Sequence, residues 1–484
     1  MRRLLLGAAS TLLVAGGLPE ELPLRTTLSV ETLRLPGNEA LGLLGLSGTA
    51  SFGPWYLGPG LYGAARGQRG GFFTFGLEGG GRGRPFPSLP LELDGGVFVG
   101  GGGGASAPQG GGLMLRPHLG AAIPVGPARL GLELSRVHFP NGGIDSTQVA
   151  LTLAFTSQRL WLPEAAARLP FAGPVAWGSR NLELELIRVD ATAAARTRSG
   201  SPQAPFSLAG VASARDLRGP WFTYLAAHGA NGGTSAGYAQ ALGGLGLRVP
   251  LAGPLGLEAR LGAGLGGGGD LDTGGGFLVA GEGALTLGTG AWRGSASLGF
   301  LRAPGGAFAG RTAAFRLSHR FATPRPWEGG EALASFELDH WRAGTGVLVY
   351  RQTRRTSGAT GPVQLITLRA DRLLSHGFYL TGEGGSATGG GAGGYSTGLA
   401  GLGFETPALA GQRLFAEAAL GAGGGGGLAT GGGRLTSLRA GWRLEFPHGL
   451  GLDATTGRTR GPRGGLDAPT LGVGLHIRFQ TLSR

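Results

Sequence analysis

Thr470-Leu471-Gly472-Val473-Gly474-Leu475-His476-Ile477-Arg478-Phe479 alternates apolar with small or polar residues over ten positions. Successive side chains of a strand point to opposite faces, so this rhythm gives one apolar face and one small or polar face. The same period of two recurs in Leu130-Gly131-Leu132-Glu133-Leu134-Ser135 and in Leu182-Glu183-Leu184-Glu185-Leu186. Segments of this kind run to roughly ten residues, the length of a tilted strand that crosses a bilayer.

Working outward, three landmarks recur in the same order, which marks internal repetition. An aromatic pair follows a short turn at Pro54-Trp55-Tyr56, Pro220-Trp221-Phe222 and Gly377-Phe378-Tyr379. A glycine run and then a glycine triplet follow at Gly100–Gly104 and Gly110–Gly112, at Gly266–Gly269 and Gly274–Gly276, and at Gly423–Gly427 and Gly431–Gly433. Phe155, Phe321 and Phe479 close the copies, 166 and then 158 residues apart, and the aromatic pairs are 166 and then 157 apart. The repeats are therefore placed at 24–155, 181–321 and 332–484. A Pro-rich linker is expected at 156–180, with a short helical turn at Glu164–Ala167.

Each copy holds about eight strand-like segments, and the connections between them alternate in length. Phe52-Gly53-Pro54, Arg218-Gly219-Pro220 and Ser375-His376-Gly377 are tight turns, as are Val125-Gly126-Pro127, Gly288-Thr289-Gly290 and Pro447-His448-Gly449. Connections from odd to even segments are longer and polar or glycine-rich, as at Arg196 to Pro205 and Arg354 to Pro362. The glycine runs read as low-complexity loops or strand ends, where the missing Cβ permits bends.

Composition excludes several classes. The 103 glycines among 484 residues lack the period of three that collagen requires, and 41% hydrophobic residues are too many for a solvated disordered chain. No segment after the N-terminus is long and apolar enough for a membrane helix. The net charge of +13 is carried by arginine without any lysine and without basic runs, so no nucleic-acid partner is expected. Met1-Arg2-Arg3, the apolar stretch Leu4–Val14 and Ala15-Gly16-Gly17 read as a signal peptide over residues 1–17. With no cysteine, neither disulfides nor thiolate metal sites are available.

In alternation, loop asymmetry and a terminal strand ending at Phe479, the chain resembles bacterial outer-membrane β-barrel proteins. The resemblance implies an all-β antiparallel transmembrane β-barrel in the cell outer membrane of a Gram-negative cell. It also implies outer-membrane lipid, lipopolysaccharide and the outer-membrane assembly machinery as partners. Eight strands per copy fit one barrel of about 24 strands, the favoured arrangement because one closed sheet has no free edges, or three tandem eight-stranded barrels. The expected function is a porin-like passive pore or a structural surface protein. Alternatives are an outer-membrane lipid hydrolase and a secreted, soluble, Gly-rich structural protein.

Glu133, Glu183, Glu185, Asp339, Arg342, Arg351 and Arg439 are expected on the inward face, lining a lumen or filling it as ion pairs. Trp55, Tyr56, Trp221, Phe222, Phe378 and Tyr379 are expected in an interfacial aromatic girdle. No cofactor, metal or catalytic residue is expected: the eight histidines are not clustered, and Gly269-Asp270-Leu271-Asp272 has no acidic counterpart in the other copies. Arg136-Val137-His138-Phe139-Pro140-Asn141 faintly resembles the His-x-Ser-Asn motif of outer-membrane lipid A deacylases. Pro140 stands where that family has its nucleophile and Thr152 near its acid, so no enzyme is expected from it.

Overall fold

In the computed structural model, residues 20–163, 174–326, 331–332 and 337–483 are described. They form three closed antiparallel barrels of eight strands each, with the two-residue strand Glu331–Ala332 added beside Pro174 and Val175. The first runs from strand Glu20–Arg34 to strand Asp145–Pro163, the second from Pro174–Ala191 to Ala309–Pro326, and the third from Glu337–Arg354 to Asp467–Ser483. In each copy the eighth strand returns to the first, with Leu28 opposite Leu153, Leu184 opposite Leu317 and Val347 opposite Val473. The favoured single barrel of about 24 strands is thereby corrected. Among the described residues the eighth strands of the first and third barrels share only two ladder positions, Phe479 with Pro163 and Gln480 with Leu162. An even strand number returns the last strand beside the first, and that local closure leaves no edge to recruit the next copy.

The repeats begin and end somewhat differently from their sequence landmarks. Strand pairing starts at Glu20 and continues along Asp145–Pro163 to Trp161, so most of 156–163, read as linker, is barrel wall. Pro174–Arg180 likewise belongs to the first strand of the second barrel, whose ladder reaches Pro326. The proposed signal peptide and the helical turn at 164–167 lie outside the described residues.

Alternation sorts side chains as the period of two requires. Leu132, Leu184 and Leu475 are 60%, 54% and 60% exposed on the outer face, whereas Ser135, Glu183 and His476, an odd number of residues away, are buried inside. At the end carrying the longer loops, apolar side chains close each interior. Phe72 meets Phe139 at 5.9 Å between ring centroids, Phe206 meets Phe308 at 6.0 Å and Tyr350 meets Tyr395 at 6.0 Å.

The glycine runs are not free loop sequence. The second long loop of each barrel docks on the glycine run of the next barrel, first on second, second on third and third on first, so the three contacts form a ring. Gly71, Gly237 and Gly394 occupy equivalent positions with φ of 91°, 87° and 89°. A Cβ on them would strike the backbone of Gly268, Gly425 and Gly104 respectively. The triplets complete the seams: a Cβ on Gly112, Gly276 or Gly433 would strike the carbonyl oxygen of Ala387, Ala64 or Ala230. Gly70 N donates to Gly274 O at 2.7 Å and Gly394 N to Gly102 O at 3.0 Å. Recurrence in all three copies is the signature of a heterologous interface closed by a threefold operator, here within one chain.

Inside the first barrel, Arg69 ties the long loops together. Its guanidinium donates to Glu39 at 2.8 and 2.6 Å, to Ala105 O at 3.0 Å and to Ser106 O at 2.8 Å. These hydrogen bonds hold the Glu39 carboxyl below the ordinary carboxylate range.

Gly237→Val places a branched side chain at positive φ against Gly425, with on the order of 1–3 kcal/mol of backbone strain, and urea unfolding midpoints will fall. Gly126→Asn, at φ 59° with nothing within 4 Å of its Cβ, will leave the midpoint nearly unchanged. A lowered carboxyl pKa stabilises above the unfolded value of about 4.3 and is lost as pH falls through the folded value. The protection of amides around Glu39, taken relative to the intrinsic exchange rate at each pH, will therefore fall as pH drops below about 4. Glu39→Gln will show the lower protection at every pH.

Candidate functional site: the ion-paired interiors

Eight strands leave an interior just wide enough for side chains to fill. In the first barrel, Arg116 donates to Glu31 at 2.9 Å and to Glu133 at 2.5 Å, and Ser135 donates to Glu31 at 2.6 Å. Nearby, Tyr56 Oη lies 3.0 Å from His118 Nε2 and donates to Asp94 at 3.0 Å. In the second barrel, Arg260 pairs with Glu183 at 2.8 Å and Glu258 at 2.7 Å, and Arg316 pairs with Glu185 at 2.5 Å and with Glu282. His228 completes this group against Glu185.

The third barrel is the most heavily laced. Arg342 pairs with Asp371 at 2.7 Å and with Glu405 at 2.6 Å. Arg443 pairs with Glu405 at 2.8 Å and with Asp453 at 3.0 Å. Arg369 pairs with Glu417 at 2.5 Å, and Arg439 holds Glu383 through bonds of 2.5 and 2.7 Å. Burying so many charges is tolerable only because each is paired and hydrogen-bonded.

The pairing is conserved in kind but not in residue. Strand register aligns Arg82, Arg248 and Glu405, and separately His118, Glu282 and Arg439. Charge changes sign between copies, and each barrel balances its own set.

Of the expected inward residues, Glu133, Glu183, Glu185, Arg342 and Arg439 point inside as described. Asp339 and Arg351 are corrections. Arg342 faces Asp371 inside, so Asp339, three residues earlier, lies on the opposite face, where it pairs with Arg372 at 2.6 Å. Arg351 is exposed, at the register shift between Tyr350 and Thr353 that follows inward Tyr350. The aromatic pairs also split by face. Trp55, Trp221 and Phe378 are about half exposed on the outside, whereas Tyr56, Phe222 and Tyr379 are buried inside. There arginines stack on them: Arg82 on Tyr56 at 4.1 Å, Arg248 on Phe222 at 4.4 Å and Arg443 on Tyr379 at 5.0 Å. Two adjacent strand residues cannot share a face, which corrects Tyr56, Phe222 and Tyr379 as girdle residues.

The arrangement leaves little room. The cavity in the second barrel beside Glu185, His228, Arg260 and Arg316 is about 50 Å³, space for a water or two. Arg342 and Arg439 were expected there, whereas Arg116, Arg260, Arg316, Arg369 and Arg443 were not, although each stands on the small or polar face of an alternating strand, which is the signal for such a filling set. His138 stands at the long-loop end of its strand, 3.5 Å from Asp145. Thr152 is opposite Gly131, seven residues along that strand, and does not reach His138.

No protein-family model matches the chain, and no curated protein matches it. Solved structures similar to it include OpdQ of Pseudomonas aeruginosa, with 10% identity, 95% of this chain and 97% of that one covered, and a TM-score of 0.21. OccAB3 of Acinetobacter baumannii has 11% identity, coverage of 95% and 99%, and a TM-score of 0.20. OccK2 of Pseudomonas aeruginosa, solved with glucuronate, has 11% identity, coverage of 95% and 98%, and a TM-score of 0.21. At such scores the likeness carries no argument about fold or function.

Removing one partner of a buried pair strands the other. Arg439→Met will cost about 3–5 kcal/mol in urea unfolding, and Arg439→Met combined with Glu383→Met will recover most of that loss.

Proposed function

We propose that the protein is an outer-membrane protein whose three sealed barrels act as a structural surface element rather than as a pore. The observation that carries this reading is the inversion of polarity. Leucine, valine and phenylalanine cover the outside of all three barrels, while arginine–carboxylate networks occupy the inside. A soluble chain gains nothing from exposing such a band, whereas lipid makes it favourable.

The pore half of the expectation is not retained. A path for ions needs water-filled space, and the interiors carry instead apolar closures beneath the long loops and interlocked guanidinium groups below them. Trp55, Trp221 and Phe378, exposed beside tight turns, support an interfacial position for that rim. Ring closure through glycine seams supports a rigid, densely packed surface.

Carbonate washing of membranes from expressing cells will leave the protein in the pellet, and its release would overturn the membrane reading. Purified protein in planar bilayers will give no unitary conductance steps, and reproducible steps would restore the pore.

A further inference from the structure

Net charge is the feature that the sealed interiors leave unexplained. Interior arginines are balanced locally, so the excess lies outside. On the outer face of the second barrel a groove of about 830 Å³ is lined by Leu186, Leu285, Leu298 and Phe315, together with Arg188. It reaches Arg434 of the third barrel. Two further arginines continue the same face toward the long loops: Arg302 lies four residues beyond Leu298 and Arg311 two residues before Ala313. Arg302 is opposite Ala309, which puts Arg311 diagonally across from it, about 7 Å away.

The other barrels provide an internal control. The position of Ala309 is held by Asp145 in the first barrel and Asp467 in the third. Asp145 pairs with Arg136 at 2.7 Å, and Asp467 pairs with Arg458 at 2.5 Å and Arg460 at 3.1 Å. Only the second barrel has alanine there; its carboxylate stands instead on the first strand, where Asp190 lies opposite Arg311 and pairs with Arg188 at 2.9 Å, and Arg302, Arg311 and Arg434 make no ion pair among the described residues. At the position of Arg434, opposite Ala422, the equivalent residues are Phe277, opposite Leu265, and Leu113. At this junction Arg188, Arg302, Arg311 and Arg434 thus outnumber the one carboxylate, Asp190, at the head of an apolar groove.

We propose that this junction binds one phosphorylated, multiply acylated lipid, its chains along the groove and its phosphates on Arg302, Arg311 and Arg434. The guanidinium fork matches phosphate oxygens in a bidentate way, and several arginines on one face suit a headgroup with more than one phosphate. An apolar trough leading away from them selects a lipid over free phosphate. The site rests on the membrane reading above and names the ligand class for it.

The test is native mass spectrometry of the detergent-purified full chain titrated with bis-phosphoryl lipid A, with dephosphorylated lipid A and with phosphatidylglycerol. The intact protein will retain one bis-phosphoryl lipid, and Ala309→Asp, which supplies the carboxylate found in the other two barrels, will weaken retention by about tenfold. Arg302→Ser with Arg311→Ser will do the same, while Arg458→Ser with Arg460→Ser in the third barrel will not. Heat-modified gel mobility reports that each variant is folded. Equal retention of the dephosphorylated lipid, preference for phosphatidylglycerol or retention unchanged by Ala309→Asp would overturn the site. Carbonate release bears on membrane residence alone, so failure of either idea is read separately.

Discussion

Pairing of the eighth strand with the first inside each copy is the constraint from which the rest follows. Once Leu28 faces Leu153, and Leu184 faces Leu317, the circumference is set at eight strands and the interior becomes just wide enough for side chains to fill. A narrow interior must be filled, and outward-facing leucines leave only the opposite face to do it. Long arginine and glutamate side chains reach across, and rings such as Tyr56 and Phe222 occupy the space between them. Charge is admitted because partners are within reach: Arg260 and Arg316 each touch carboxylates from more than one strand.

Small closed barrels expose little strand edge, and the ladder between the first and third is two positions long, so most of the joining must come from something other than sheet pairing. Glycine supplies it. Where a Cβ at Gly71 would overlap Gly268, its absence lets two backbones meet, and the same geometry at Gly237 and Gly394 turns three pairwise contacts into one ring. Residues that look like low-complexity filler are thus positions with no room for a side chain.

Much of this was legible beforehand, and what was not has identifiable causes. Alternation in Thr470–Phe479 and the matched spacings of Trp55, Trp221 and Phe378 were sufficient for strands, copies and alternating loops. They could not distinguish one barrel from three, because alternation says which face a residue takes and nothing about which strand lies beside it. Parity alone separates Trp55 from Tyr56 and Asp339 from Arg342, so those placements were available from the sequence. The same parity puts Arg351, beside inward Tyr350 and an odd number of residues from inward Arg342, on the outer face. The seam was hidden for another reason: glycine reports missing bulk without naming the neighbour that needs the room.

Joining the three units in one polypeptide also changes what a threefold assembly is able to become. In a ring of identical subunits every substitution appears three times, so no face can differ from its sisters. Here Arg82 and Arg248 stand where the third unit has Glu405, and Ala309 where the others have aspartate. Covalent linkage makes stoichiometry independent of concentration and releases each wall to drift separately, so a symmetric scaffold acquires a front and a back.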